Sequence, residues 1–145
     1  MFNLYNWIDK KLKLYASELD FSELTEHSLD GSYFLRGMRH SPTRQRIQPE
    51  TFGAKKSTLS ISGNTFEVSI YAGDELKFHE TGTFTVENVD YYKKPISFYV
   101  DGYLLIAKGF VIPHITYIDI DEFALIDLDN DEPSPYQFQF THDRD

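Results

Sequence analysis

Seven acidic residues and no basic residue lie between positions 119 and 132 of this sequence. The segments Ile118-Asp119-Ile120-Asp121 and Ile126-Asp127-Leu128-Asp129 both alternate an aliphatic residue with an aspartate. Because successive side chains of a β-strand point to opposite faces, this spacing predicts four aspartates on one face. Carboxylates gathered without cations suit contact with a positively charged partner. Our candidate partner-binding residues are the acids Asp119, Asp121, Glu122, Asp127, Asp129, Asp131 and Glu132, flanked by the aromatic residues Tyr117 and Tyr136.

An acid-only face also has a simpler interpretation. The carboxylates could serve only to keep an outer face soluble and to block edge pairing. If the two alternating segments paired with each other through the short link 122–125, their aspartates would form a ladder of like charges, which weakens a sheet. A face of mixed charge would give solubility at lower electrostatic cost. The sequence leaves both interpretations open, a solubilising face and a binding surface.

Signatures of catalysis and of metal binding are missing or incomplete in this sequence. There is no GxSxG, GxxxxGK[ST] or GxGxxG string, and the chain has no cysteine. Asp127-Leu128-Asp129-Asn130-Asp131 begins like a calcium loop, but Glu132 replaces the turn glycine and Phe138 replaces the closing glutamate. We therefore expect no enzyme activity, no cofactor and no metal site. The alternative is a small enzyme with a composite carboxylate site.

Tyrosines offer a second alternative function, in which the chain binds a carbohydrate or another small ligand on a β-sheet surface. The sequence holds ten tyrosines, and aromatic rings exposed on a sheet can stack on sugar rings. The candidates for such a platform are Tyr91, Tyr92, Tyr99, Tyr103, Tyr117 and Tyr136.

The N-terminal part of the chain, about residues 1–30, is predicted to be helical, and its first segment has the periodicity of an amphipathic helix. Apolar residues recur at spacings of three and four over about residues 3–19, and Asn3 is a suitable N-cap. We expect this helix to pack on a sheet through Leu4, Ile8, Leu12, Tyr15 and Leu19.

The rest of the chain divides by pattern into three further segments. Residues 36–56 are basic, carry several turn-forming residues and lack periodicity, which predicts an irregular loop. Residues 57–129 alternate short apolar runs with turn dipeptides, among them Gly63-Asn64 and Asp101-Gly102, which predicts an antiparallel meander of six or more strands. Residues 130–145 are rich in acids and proline. The predicted fold class is therefore α+β, an N-terminal helix on a sheet that curls toward a half-barrel or a sandwich.

Length and charge narrow the class of partner. A chain of 145 residues predicts one domain, spanning residues 1–145, and the net charge of −9 disfavours a nucleic-acid partner. We expect no membrane partner, because no apolar stretch is long enough to span a bilayer and no secretory signal is visible. The absence of cysteine favours the cytoplasm.

In size, charge and class the chain resembles the immunity proteins of bacterial toxin systems. That resemblance implies a non-catalytic inhibitor, or antitoxin, which neutralises a basic nuclease-type toxin by protein–protein binding. Nuclease clefts carry Lys and Arg to hold phosphates, so an acidic protein can compete for them with carboxylates. The oligomeric state is left open by the sequence.

Overall fold

The computed structural model describes residues 3–7, 10, 18–20, 22–51 and 53–144. Ten β-strands form within these residues. They are β1 (Gly31–His40), β2 (Gln45–Ile47), β3 (Thr58–Ser62), β4 (Thr65–Ala72), β5 (Glu75–Val86), β6 (Lys94–Val100), β7 (Leu104–Pro113), β8 (Tyr117–Asp127), β9 (Glu132–Pro133) and β10 (Tyr136–Asp143).

Eight of these strands close into an antiparallel barrel. Their order around the barrel is β10, β1, β3, β4, β5, β6, β7 and β8, and β10 also pairs with β8 to complete the ring. The short strands β2 and β9 add to β1 and β8. One end of the barrel carries the turns that follow β1, β4, β6 and β8, and the opposite end carries those that follow β3, β5 and β7.

The predicted α+β class is wrong, because the described fold is nearly all β. Helical backbone in the described residues is limited to 4–7 and residue 10, with Asn3 Oδ1 accepting a hydrogen bond from the Asn6 amide at 3.2 Å. Leu4 is 52% exposed, so it does not pack on a sheet as expected. Leu19 is buried, but in extended backbone that bridges to His114. The predicted helix positions Ile8, Leu12 and Tyr15 lie outside the described residues.

Two of the other predicted segments also differ from the structure. The loop predicted over 36–56 is shorter, because β1 continues to His40 and β2 forms a hairpin with it. The acidic, proline-containing segment 130–145 contains β10, which closes the barrel. The antiparallel meander expected over 57–129 is present, and several of its strands are longer than the apolar runs that predicted them.

Two predicted hairpin turns are confirmed. Gly63 and Asn64 connect the paired residues Ser62 and Thr65 of β3 and β4, and Gly63 has a positive φ of 59°. Asp101 and Gly102, followed by Tyr103, connect β6 to β7, and the first two residues have φ values of 56° and 78°. Positive φ is accessible to glycine at little cost and is tolerated by aspartate, which explains these residue types at the turns.

Aromatic side chains fill the barrel interior. The Phe98 ring lies 5.0 Å from Phe66, edge-on, and 5.3 Å from Phe123. Phe123 in turn contacts Phe140 at 5.3 Å, and both rings are fully buried. Edge-to-face rings at these distances stabilise a core beyond the area they bury. The interior of the barrel is therefore a packed core.

Replacing Phe98 by alanine tests this core. We expect Phe98→Ala to lower the free energy of unfolding by about 3–5 kcal/mol, because it removes a fully buried ring and leaves a cavity. Phe34→Ala is the matched control, since the Phe34 side chain is 63% exposed, and it should change stability by about 0.5 kcal/mol or less. Urea unfolding measures both variants, and equal losses would contradict the packed interior.

Candidate functional site

A β-bulge at Asp121 and Glu122 determines where the predicted acids lie. Lys108 and Phe110 of β7 pair with Ala124 and Asp121, so β8 has one more residue than β7 across this interval. The same extra residue appears in the pairing of β8 with β10. Glu122 has a φ of 51°, the left-handed conformation found in some bulges. The two alternating acid segments thus belong to one strand and do not form the hairpin that the sequence allowed.

The bulge reverses the alternation of side chains along β8. Before it, Ile118 and Ile120 point into the core; after it, Phe123 and Leu125 do so. Asp119 and Asp121 therefore point outward, whereas Asp127 falls on the opposite parity at the end of the strand. The prediction of four aspartates on one face of the sheet is wrong for this reason.

Asp119 is buried rather than exposed to solvent. Its side chain accepts a hydrogen bond from the Thr141 hydroxyl at 2.6 Å, and its other carboxylate oxygen lies 3.5 Å from His114 Nε2. The His114 ring stacks on Tyr117 at 4.0 Å, so Tyr117 covers this buried group. Asp119 and His114 are both too buried to touch a partner directly. Their contacts link β8 to β10 and to the residue that follows β7.

Glu122 is paired with cations. One carboxylate oxygen is in ion-pair contact with Lys93 Nζ, and the other lies 3.7 Å from Arg39. Lys93 also lies over the Phe110 ring, 4.3 Å from its centroid, in a cation–π geometry. Glu122 therefore contributes less negative potential than the sequence suggested.

Asp121 lies half-buried in a surface cleft on the outer wall of the barrel. Burial is the largest effect on this carboxyl and raises its pKa, and the neighbouring Glu122 carboxylate acts in the same direction. The Glu122 amide, which donates a hydrogen bond to Asp121 Oδ1 at 2.8 Å, opposes this shift, as does the Arg39 guanidinium. A carboxyl with a raised pKa in a cleft marks a candidate functional residue.

Four of the seven predicted acids remain exposed together, at the end of the barrel. They are Asp127, Asp129, Asp131 and Glu132 in the connection from β8 through β9, which we call the acidic turn. No Lys, Arg or His among the described residues lies within 4.0 Å of their carboxylates. Tyr136, at the start of β10, follows the acidic turn and lies 5.3 Å from the His40 ring.

Three arginines that the sequence assigned to an irregular loop line the cleft around Asp121. We call this site the arginine cleft; its volume is about 450 Å³. Its polar lining comprises Arg36, Arg39, Arg46, Gln48, Asp121, Gln137 and Gln139. The sequence missed this site because it depends on β2 and β10, neither of which was predicted. The alternation of Phe138 and Phe140 with Gln137 and Gln139 was the signal that would have identified β10.

The described residues do not assemble the other two sites weighed from the sequence. Among them, no group of three or more His, Asp or Glu side chains is placed to hold a metal ion. The candidate sugar-stacking tyrosines are dispersed, with Tyr91 and Tyr92 in the connection from β5 to β6 and Tyr103 in a turn at the opposite end.

Asp121→Asn tests the environment of the cleft carboxyl. The folded chain keeps the Asp121 proton to higher pH than the unfolded chain, so this group lowers stability as pH rises from its unfolded to its folded pKa. We expect Asp121→Asn to raise the melting temperature at neutral pH, where each unit of difference between the folded and unfolded pKa is worth about 1.4 kcal/mol. Near pH 3, below both the folded and the unfolded pKa of Asp121, the variant should no longer be more stable than the wild type.

The exposed Asp90→Asn variant controls for loss of one negative charge. Thermal unfolding followed by circular dichroism between acid and neutral pH gives the comparison. The raised pKa of Asp121 would be contradicted if the gain in melting temperature of Asp121→Asn were the same in acid. It would also be contradicted if Asp90→Asn gave the same gain.

Comparison with known proteins identifies no relative. No protein family, no curated protein and no solved structure matches this chain. No helix among the described residues has the length and apolar character needed to cross a membrane.

Proposed function

We propose that this chain is a non-catalytic acidic binding protein that recognises a basic protein through the acidic turn, in the manner of an immunity protein that inhibits a nuclease-type toxin. The observation that carries the proposal is the set of four exposed carboxylates, Asp127, Asp129, Asp131 and Glu132, with no cation within 4.0 Å among the described residues. Some other acids of the chain, such as Glu122 and Asp20, do have such partners.

Electrostatic steering supports this function. The chain has a net charge of −9, so its field attracts a basic partner before contact. Carboxylates at the end of a barrel can enter a cleft more readily than carboxylates on its curved wall. Charge complementarity of this kind raises association rates by one to three orders of magnitude at low ionic strength.

Hydrogen bonds within the acidic turn fix the positions of its charges. The Asp129 amide donates to Asp127 Oδ1 at 2.9 Å, and the Glu132 amide donates to Asn130 Oδ1 at 3.0 Å. The Asp131 amide donates to the Asp127 carbonyl at 2.8 Å. A turn already ordered in the free protein loses less conformational entropy on binding, which favours affinity.

Exposed apolar side chains at the same end can provide contact area. Leu128, between two of the acids, is 57% exposed. Tyr103 is 78% exposed in the turn before β7, which neighbours β8, and Tyr136 begins β10. Large side chains beside charges commonly supply the affinity of an interface, while the charges supply association rate and specificity.

The proposed function includes a cytoplasmic location. The chain has no cysteine, so it forms no disulfide that would require an oxidising compartment.

Neutralising the acidic turn tests the proposal. The test variant combines Asp127→Asn, Asp129→Asn, Asp131→Asn and Glu132→Gln. The partner to be tested is the product of the adjacent reading frame, because an immunity protein is encoded beside its toxin. We expect the association rate at low salt to fall by about tenfold or more, with loss of protection against the toxin, because steering and charge pairing are both removed.

A matched control removes the same charge elsewhere on the surface. It combines Glu23→Gln, Glu50→Gln, Glu87→Gln and Asp90→Asn, all at exposed positions outside the acidic turn. Circular dichroism first confirms that both variants fold. If association slowed equally in the two variants, net charge alone would explain the effect and the acidic turn would not be the binding surface. Unchanged binding by the test variant would also overturn the proposal.

A further inference from the structure

The arginine cleft brings like charges together on one face of the barrel wall. Arg46 of β2 pairs directly with Arg39 of β1, and Arg39 pairs on its other side with Gln137 of β10. Residues directly opposite each other on antiparallel strands point to the same face, and like charges so placed destabilise the pair. The row Arg46–Arg39–Gln137 is therefore costly unless an anion lies over it.

The carboxylates of the chain do not neutralise this row. Arg39 has a carboxylate neighbour in Glu122, which is shared with Lys93. Arg46 has no ion-pair partner among the described residues, and the Arg36 guanidinium lies over the Tyr117 ring, 6.0 Å from its centroid. The lining of the cleft thus holds three cations, Arg36, Arg39 and Arg46, against one carboxylate, Asp121, while the neighbouring Glu122 and Lys93 pair with each other. The site has a local charge of +2, even with Asp121 ionised, on a chain whose net charge is −9.

The cleft also presents hydrogen-bond donors and open space. Each guanidinium carries five N–H donors in a planar fork that matches phosphate oxygens, and Gln137 and Gln139 add amide groups. Gly37 pairs with Gln139, and its missing side chain leaves room beside the glutamine amide. The volume of about 450 Å³ falls within the range of small-molecule sites and exceeds what one phosphate group needs.

We propose that the arginine cleft binds the phosphate dianion of a small phosphorylated molecule. A phosphate monoester carries the two negative charges that balance the site, and its oxygens accept hydrogen bonds from the guanidinium forks. The organic part of the ligand occupies the remaining space beside Gln137 and Gln139. This site is separate from the acidic turn, so the inference does not depend on the proposed function.

Calorimetric titration tests the binding of this ligand class. The probes are phenyl phosphate, inorganic phosphate and sodium acetate at about pH 7.5, where a phosphate monoester is a dianion because its second pKa is about 6. Sodium chloride keeps the ionic strength constant. We expect phenyl phosphate to bind best, inorganic phosphate to bind, and acetate to bind at least about tenfold more weakly, a difference of about 1.4 kcal/mol. Equal binding of acetate and phosphate would overturn the proposal of a phosphate site.

Substitutions of Arg46 separate a built site from general electrostatic attraction. We expect Arg46→Gln to weaken phosphate binding by about tenfold or more, because hydrogen bonds to charged groups are strong. Arg46→Lys keeps the positive charge but loses the guanidinium fork, so its affinity for phosphate should lie between that of the wild type and that of Arg46→Gln. Lys55→Gln removes one positive charge at an exposed position outside the cleft and should leave affinity within about twofold.

Amide chemical shifts locate the bound phosphate. We expect phosphate to shift the amide resonances of Gly37, Arg39 and Gln137 and to leave the acidic turn unchanged. Equal weakening by Arg46→Gln and Lys55→Gln, or shifts centred away from the cleft, would overturn the proposal. Because the Arg46 substitutions leave the acidic turn intact, failure here is distinguishable from failure of the proposed function.

Discussion

Strand β10 hydrogen-bonds to both β1 and β8, and this double pairing joins the two ends of the sheet. Without it, β1 and β8 would each expose an unpaired edge, which invites association with other chains. The same strand supplies Phe138 and Phe140 to the core, where Phe123 contacts both rings. Closure and core packing therefore depend on one segment near the C-terminus, and with the interior filled, binding is left to the outer surface.

Two bulges, one in β8 and one in β1, shape that surface. In β8 the extra residue at Asp121 and Glu122 lies opposite Gly109, and added bulk at that glycine would crowd the β8 backbone near Phe123. In β1 the register shifts between Leu35 and Gly37. Bulges redirect side chains without ending a strand. Here they place Arg36 and Asp121 on the wall of the arginine cleft, while the reversed alternation leads β8 to the acidic turn.

The sequence was most informative where local chemistry decides the structure. Gly63-Asn64 and Asp101-Gly102 determine turns through backbone φ, and the alternation of Phe66, Val68 and Ile70 determines which face of β4 is buried. It was misleading at the N-terminus, where helical spacing predicted a docked helix but Leu4 is exposed. Periodicity reports which side chains could share a face and not whether a sheet has room to receive them.

The candidate site was only partly predictable for a different reason. A single bulge residue is invisible in a period of two, so Asp119 and Asp127 looked equivalent although one is buried and the other exposed. The arginine cleft joins residues near position 40 to residues near positions 121 and 138, and such contacts follow from closure rather than from local pattern. Solvent exposure was predicted for Asp119, Asp121, Asp127 and Asp129. Asp127 and Asp129 are exposed, whereas Asp121 is half-buried and Asp119 is buried.

Amide hydrogen exchange along β10 tests barrel closure most directly. In a closed barrel, successive amides of residues 137–142 point alternately to β1 and to β8, so both sets are hydrogen-bonded. We expect both sets to exchange slowly, with protection close to that of the core strand β6, because they open only with global unfolding. Fast exchange of the amides that point to β1, or of those that point to β8, would show that β10 does not pair with that strand. It would contradict the closed barrel on which the packed core and both surface sites depend.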